Sequence, residues 1–186
     1  MSRFEFLPTR LAELMVVQRK SVEDSRGFLS RFYCADTFRE AGISKSIAQI
    51  NHTVTFKKGA VRGMHFQHSP HVETKFVSCL QGEIFDVAVD LRYNSPTFLH
   101  WHGEILSASN RKSLLIPEGF AHGFQTLTEN CELIYLHTEN YHPETEGALN
   151  ARDPMLDIAW PNSITEMSDK DRTNKLIDQD FKGIIL

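Results

Sequence analysis

Hydrophobic and polar positions in this chain alternate in short bursts, about every second residue, as half-buried strands require. Ser46–Phe56 (SIAQINHTVTF) is the longest such run. Ile84–Leu91 (IFDVAVDL) sets Phe85, Val87 and Val89 on one face against Asp86, Ala88 and Asp90 on the other. Leu14–Val17, Lys75–Leu80, Phe98–Leu106, Lys112–Ile116, Gly123–Leu127 and Leu133–Thr138 read as further strands. Turn signals separate them at Asn94-Ser95-Pro96, Pro117-Glu118-Gly119 and Glu129-Asn130, and Gln81-Gly82 predicts a hairpin between its two flanking strands. Helical signals are confined to Asp36–Ala41, ahead of Gly42, and to Asp169–Leu176 with Ser168 as its N-cap. Many short strands with scarce helix predict an all-β chain, a cupin-type double-sheet jelly-roll barrel with a few short peripheral helices. Neither a repeat nor a linker interrupts the pattern, so residues 1–186 are expected to form a single domain. Its parts would be an N-terminal arm over about 1–45, a barrel core over about 46–140 and a C-terminal helical segment over about 165–186.

Composition narrows the function classes. The chain has 186 residues, enough for a substantial core, with 24% charged and 41% hydrophobic residues. A formal net charge of -4 argues against general nucleic-acid binding, which calls for a basic stripe. It leaves room for a small anionic ligand held by a few local cations. No long apolar run predicts a membrane span, and the start MSRFEFLPTR has no signal-peptide core, so the expected location is cytoplasmic. Cys34, Cys79 and Cys131 form no CxxC pair and are expected as free thiols.

Two stretches carry candidate chemistry. In Arg62-Gly63-Met64-His65-Phe66-Gln67, strict alternation would put Arg62, Met64 and Phe66 on one face and His65 and Gln67 on the other. Gly63 signals a close backbone approach or a bulge. His65 is either a satisfied barrel histidine or a general base, the latter only if another group orients it. In Gly119-Phe120-Ala121-His122-Gly123-Phe124, glycines around His122 would let a polar ligand approach closely. Lys75 could stabilise an anion from inside a barrel mouth, although a surface lysine is the plainer reading. Tyr135 reads as core with a satisfied hydroxyl. Ser168-Asp169-Lys170-Asp171 reads as a capped helix start. Nine histidines invite a metal reading. The His-x-His pair of metal-binding cupins is absent at His65, and His100-Trp101-His102 has that spacing but no acidic residue at the distance the motif expects, so no metal is expected. His68, His71, His137 and His142 lie in polar stretches and are expected to be solvated.

Taken together, these segments resemble the dTDP-4-dehydrorhamnose 3,5-epimerase family. The matching blocks are Arg26-Gly27-Phe28, Gln49-Ile50-Asn51, RGMHFQ at 62–67, Lys75, FDVAVDLRYNSPTF at 85–98, IPEGFAHGF at 116–124 and Tyr135. They continue through Tyr141-His142-Pro143-Glu144, Asp153-Pro154, Ile158-Ala159-Trp160-Pro161 and SDKD at 168–171. They are colinear over nearly the whole chain. The resemblance implies a cupin barrel without metal or organic cofactor, and a homodimer that exchanges strands or arms. It also implies dTDP-4-dehydro-6-deoxy-D-glucose as substrate and dTDP-4-dehydro-L-rhamnose as product. By matching position, His65 would be the base and Asp171 the carboxylate that orients it. Tyr135 would be the acid on the opposite face, and Lys75 would face the C4 oxygen. Arg26, Gln49, Asn51, Arg62, His122, Glu146 and Lys170 match positions that hold the nucleotide or sugar.

Two positions depart from the family pattern. Arg31 stands where many members have a glutamate, five residues after Arg26. Ala151 stands where an aromatic residue is common. Both keep other readings in view: an epimerase of C3 alone or C5 alone, or one acting on another nucleotide-linked 4-keto sugar. A ketoisomerase fits less well, because inversion wants groups on two faces. A non-catalytic sugar-nucleotide-binding cupin would need no paired acid and base.

Overall fold

Two antiparallel sheets stack face to face in a computed structural model of the protein that describes residues 2–186. In chain order the strands are β1 (Phe4–Pro8), β2 (Met15–Arg19), β3 (Val22–Asp24), β4 (Gly27–Leu29), β5 (Gln49–Thr55), β6 (Val61–Gln67) and β7 (Lys75–Gln81). They continue with β8 (Glu83–Asp90), β9 (Trp101–Ser107), β10 (Lys112–Ile116), β11 (Phe120–Thr126), β12 (Cys131–His137) and β13 (Glu146–Ala148). Two short helices, α1 (Ala35–Glu40) and α2 (Asp169–Thr173), lie outside the sheets. One sheet runs β1-β2-β10-β7-β12-β5, the other β13-β6-β11-β8-β9, and β3-β4 forms a separate ribbon. This is the double-sheet jelly roll expected of the strand pattern. No described helix is long and apolar enough to cross a membrane.

Three apolar layers hold the sandwich. Between the sheets lie Val16, Val77, Leu114 and Leu133 from one side and Ile84, Ala88, Phe120 and Phe124 from the other. Behind the second sheet, Met64, Phe66, Val87 and Val89 pack under the C-terminal segment, with Leu149, Leu156, Met167 and Ile184. Behind the first, Phe38 of α1 sits edge-on to Phe4 and Phe76, at 5.4 and 5.0 Å between ring centres. The alternation read in Ile84–Leu91 holds. Phe85, Val87 and Val89 face the outer layer, while Asp86 and Ala88 face inward.

Other expectations need correction. Gln81-Gly82 does turn the chain, but β7 and β8 do not pair; they belong to different sheets. Gly82, at φ +78°, carries the chain across the sandwich edge, with Thr128 and Cys131 packed where a Cβ would stand. A hairpin signal reports a reversal of direction but not which neighbour the next strand will meet. The strand expected from Phe98 begins at Trp101, because Ser95–Phe98 is spent in a turn tied to the Asp90 carboxylate. The strand expected from Gly123 begins at Phe120, and the helix expected to reach Leu176 ends at Thr173. Strands β1, β3, β4 and β13 were not legible as strands; three of them are at most three residues long or fully exposed.

Candidate active site

Strand β6 does not keep the strict alternation expected of it. His65 pairs with His122 and Arg62 with Phe124, so three steps on β6 match two on β11. The extra residue is a bulge at Gly63, which turns Arg62 and His65 toward the same cavity. Only glycine fits there. Its φ is +125°, and a Cβ would lie 2.5 Å from Gly123 Cα and 2.7 Å from the His122 carbonyl oxygen. The glycines flanking this histidine pair therefore let two backbones touch.

His65 Nε2 lies 2.7 Å from Asp171 Oδ1. Asp171 sits in the first turn of α2, where its backbone N–H donates to the Ser168 hydroxyl at 3.0 Å, the expected N-cap. Burial pushes its carboxyl up, but the His65 hydrogen bond and charge outweigh this and hold it below the usual aspartate range. Asp171 is therefore ionised at neutral pH and can orient one imidazole nitrogen while the other faces the cavity.

The opposite wall comes from the first sheet. Tyr135 on β12 and Lys75 on β7 line the same cavity of about 200 Å³, together with Asn51, Arg62, His65 and His122. Burial pushes the Tyr135 phenol well above its ordinary pKa, so it stays protonated and available as a proton donor. The Lys75 ammonium, almost fully buried, donates to the His65 carbonyl oxygen at 3.1 Å. An adjoining cleft of about 470 Å³ adds Gln49, Gln67, Glu73, Tyr141 and Glu146. Lys170 closes the far rim, 2.6 Å from Glu146, which also accepts from the Tyr141 hydroxyl at 2.9 Å. Burial raises the Glu146 carboxyl, and these two partners more than reverse that, leaving it below the usual range.

Ten of the eleven residues singled out in the sequence thus converge. Arg26 does not. It sits at the exposed tip of the β3-β4 ribbon, bonded to Asp24 at 2.6 Å, and lines none of these clefts. Arg31 is likewise exposed on the arm, away from the cavity. Ala151 is buried behind the second sheet, and its carbonyl accepts from the Trp160 indole at 2.8 Å, so an aromatic ring already occupies that region.

Sequence reasoning missed three groups. Asp86 is fully buried and 2.8 Å from His122 Nε2; burial raises its carboxyl, with His122 opposing. His137, expected to be solvated, lines the cavity and bonds to the buried Glu73 at 2.7 Å. The inward phase of IFDVAVDL marked Asp86, but nothing local marked Glu73 or His137. His71 and His142 are also half-buried, stacked at 3.5 Å, with Glu144 beside them. Their ligand atoms lie within 4.8 Å of one another, yet parallel rings aim their lone pairs side by side rather than at one point, a poor metal cradle.

A sequence profile of the dTDP-4-dehydrorhamnose 3,5-epimerase family matches residues 8–179 of this chain. The Salmonella typhimurium protein named dTDP-4-dehydrorhamnose 3,5-epimerase is 43% identical over 93% of this chain and 95% of its own length. The Legionella pneumophila dTDP-6-deoxy-D-glucose-3,5-epimerase, solved with dTDP-4-keto-L-rhamnose, has 39% identity and a TM-score of 0.91, covering 97% of this chain and 98% of that one. ChmJ, a 3'-monoepimerase from Streptomyces bikiniensis solved with dTDP-quinovose, has 30% identity and a TM-score of 0.85, covering 91% and 86%.

Proposed function

This chain belongs to the dTDP-4-dehydrorhamnose 3,5-epimerase family, and from that premise we propose that it inverts C3 and C5 of dTDP-4-dehydro-6-deoxy-D-glucose to give dTDP-4-dehydro-L-rhamnose. The observation that carries the mechanism is the His65–Asp171 pair on one sheet wall, facing Tyr135 on the other. Protons at C3 and C5 are acidic because the C4 ketone delocalises the carbanion as an enolate. His65 removes one, and Asp171 fixes its tautomer and stabilises the imidazolium; such a base contributes roughly 10²–10⁴-fold. Lys75 faces the oxygen where charge develops, a role worth about 3–4 kcal/mol per donor. Tyr135 returns a proton from the opposite face, which completes inversion. No electron transfer occurs, and the protein's own side chains carry every proton.

The remaining residues hold the ligand. Gln49, Asn51, Arg62, His122, Glu146 and Lys170 surround the cavity with polar groups suited to a sugar and a diphosphate, which guanidinium pairs bidentately. Arg26 joins them in a homodimer, where the β3-β4 ribbon crosses to the partner's cavity. Two features support the dimer. The ribbon exposes Val22, Phe28 and Leu29, edge strand β5 exposes Ile50 and Val54, and Phe56 is exposed just beyond it, apolar groups that a second copy would cover. The proposed setting is the cytoplasm, where the three cysteines stay as free thiols.

Proton NMR of dTDP-4-dehydro-6-deoxy-glucose in deuterated water tests the reading. Deuterium at both C3 and C5, with conversion to the L-sugar, is expected. Label at one carbon alone makes it a single-centre epimerase, and no label with any nucleotide-linked 4-keto sugar overturns the catalytic reading.

A further inference from the structure

Beside Lys75 and Tyr135 stands an ionisable pair that the epimerisation described above leaves without a task. Glu73 and His137 have side chains only 9% and 13% exposed, and both line the larger cleft. The Glu73 carboxylate is shared. One oxygen lies 3.2 Å from the Lys75 ammonium, the other 2.7 Å from His137 Nδ1.

The direction of each bond follows from that carboxylate. Burial raises Glu73, but the Lys75 charge and the His137 bond outweigh it and keep the group ionised at neutral pH. An ionised carboxylate only accepts, so His137 carries its proton on Nδ1 and, when neutral, presents Nε2 as an acceptor. Asn51 Nδ2 stands 3.4 Å from that nitrogen and must be the donor. The Asn51 carbonyl is thereby turned to Gln49, whose amide donates to it at 3.1 Å. The Gln49 carbonyl in turn accepts from the Tyr141 backbone N–H at 3.1 Å. A single carboxylate thus settles where the ammonium sits and which way two cleft-lining amides point.

We propose that Glu73 and His137 are positioning residues, Glu73 anchoring the Lys75 ammonium and His137, protonated on Nδ1, orienting the Asn51 and Gln49 amides toward the bound nucleotide sugar. The choice of ligand rests on the epimerase reading; the tautomer does not. Glu73→Gln breaks the chain at its source. Its amide can donate to Nδ1, which moves the imidazole proton to Nε2 and turns Asn51 around. His137→Leu removes both bonds. His137→Gln keeps them in direction, because its amide can donate to Glu73 and its carbonyl can accept from Asn51.

Long-range ¹H–¹⁵N NMR of the labelled full chain reads the tautomer without substrate, with the His137 signal assigned by its loss in His137→Gln. Wild type is expected to show Nδ1–H, and Glu73→Gln to shift toward Nε2–H. In turnover, His137→Leu should raise KM about 10-fold with a smaller change in kcat, and His137→Gln should restore most of it. Glu73→Gln should lower kcat about 10–100-fold through a misplaced ammonium. An Nε2–H tautomer in wild type overturns the proposal. So does equal impairment of the Leu and Gln variants, which would mean that His137 merely fills space. Absence of turnover by the wild type sinks the epimerase reading alone, and the tautomer still decides the positioning role.

Discussion

At the scale of single residues, the site is a set of side chains whose environments assign them different tasks. Burial keeps Tyr135 protonated, while Asp171, tied to His65 and a helix N-cap, stays ionised. His65→Ala is expected to abolish deuterium exchange at both carbons while dTDP binding by calorimetry stays largely intact; unchanged turnover would sink the mechanism. Tyr135→Phe should spare exchange more than inversion, so that label enters without full conversion, and equal loss of both would count against an opposite-face acid. The sequence made His65, Lys75, Tyr135 and Asp171 visible only as a joint pattern, since each alone has an ordinary structural explanation. His137 was misread as solvated because its partner Glu73 lies 64 residues away, and the strand pairing of β12 with β7 brings them together. The Asp86–His122 bond, spanning 36 residues, was hidden for the same reason.

Elements add constraints that no single residue explains. The β6 bulge aims Arg62 and His65 into one cavity, and Gly63 makes it possible. Gly63→Ala must push backbone against backbone at positive φ. It is expected to cost roughly 2–4 kcal/mol in urea unfolding and to reduce turnover, and a stable, active variant would argue against the close approach. The turn after β8 is built on the buried Asp90 carboxylate. Burial raises it, but bonds from Arg92, Ser95 and Thr97 bring it down to about 2. The depressed folded value means that this contribution to stability is present above the ordinary aspartate pKa and is lost as pH falls toward about 2. It amounts to about 2 kcal/mol. Asp90→Asn should flatten the fall in unfolding free energy between about pH 4 and 2. Strand β5 shows where alternation informs and where it misleads. Its period of two is plain, yet Gln49, Asn51 and Thr53 point into the cleft while Ile50 and Val54 point out. A strand with a polar inner face suits a polar ligand, and its outer face keeps Ile50 and Val54 exposed.

For the whole molecule, the exposed position of Arg26 at the ribbon tip sets an experiment. If the ribbon crosses to a partner subunit, a hybrid of His65→Ala and Arg26→Ala protomers has one site with both residues intact. Coexpressed hybrids are then expected to recover turnover that neither homodimer has, whereas a ribbon acting within its own subunit recovers none. The period-two pattern by itself determined the class of fold and most strands, because a strand half buried against a core must alternate whatever its neighbours are. The colinear motifs determined the chemistry on offer, since proton transfer beside a ketone needs a base, an acid and a cation in any arrangement. Which strands pair, which face of β5 looks inward, and which carboxylate meets which histidine were decided only by the tertiary structure. Those outcomes depend on how two sheets stack and where a bulge shifts the register, and such contacts join residues far apart in the chain, where local pattern carries no information.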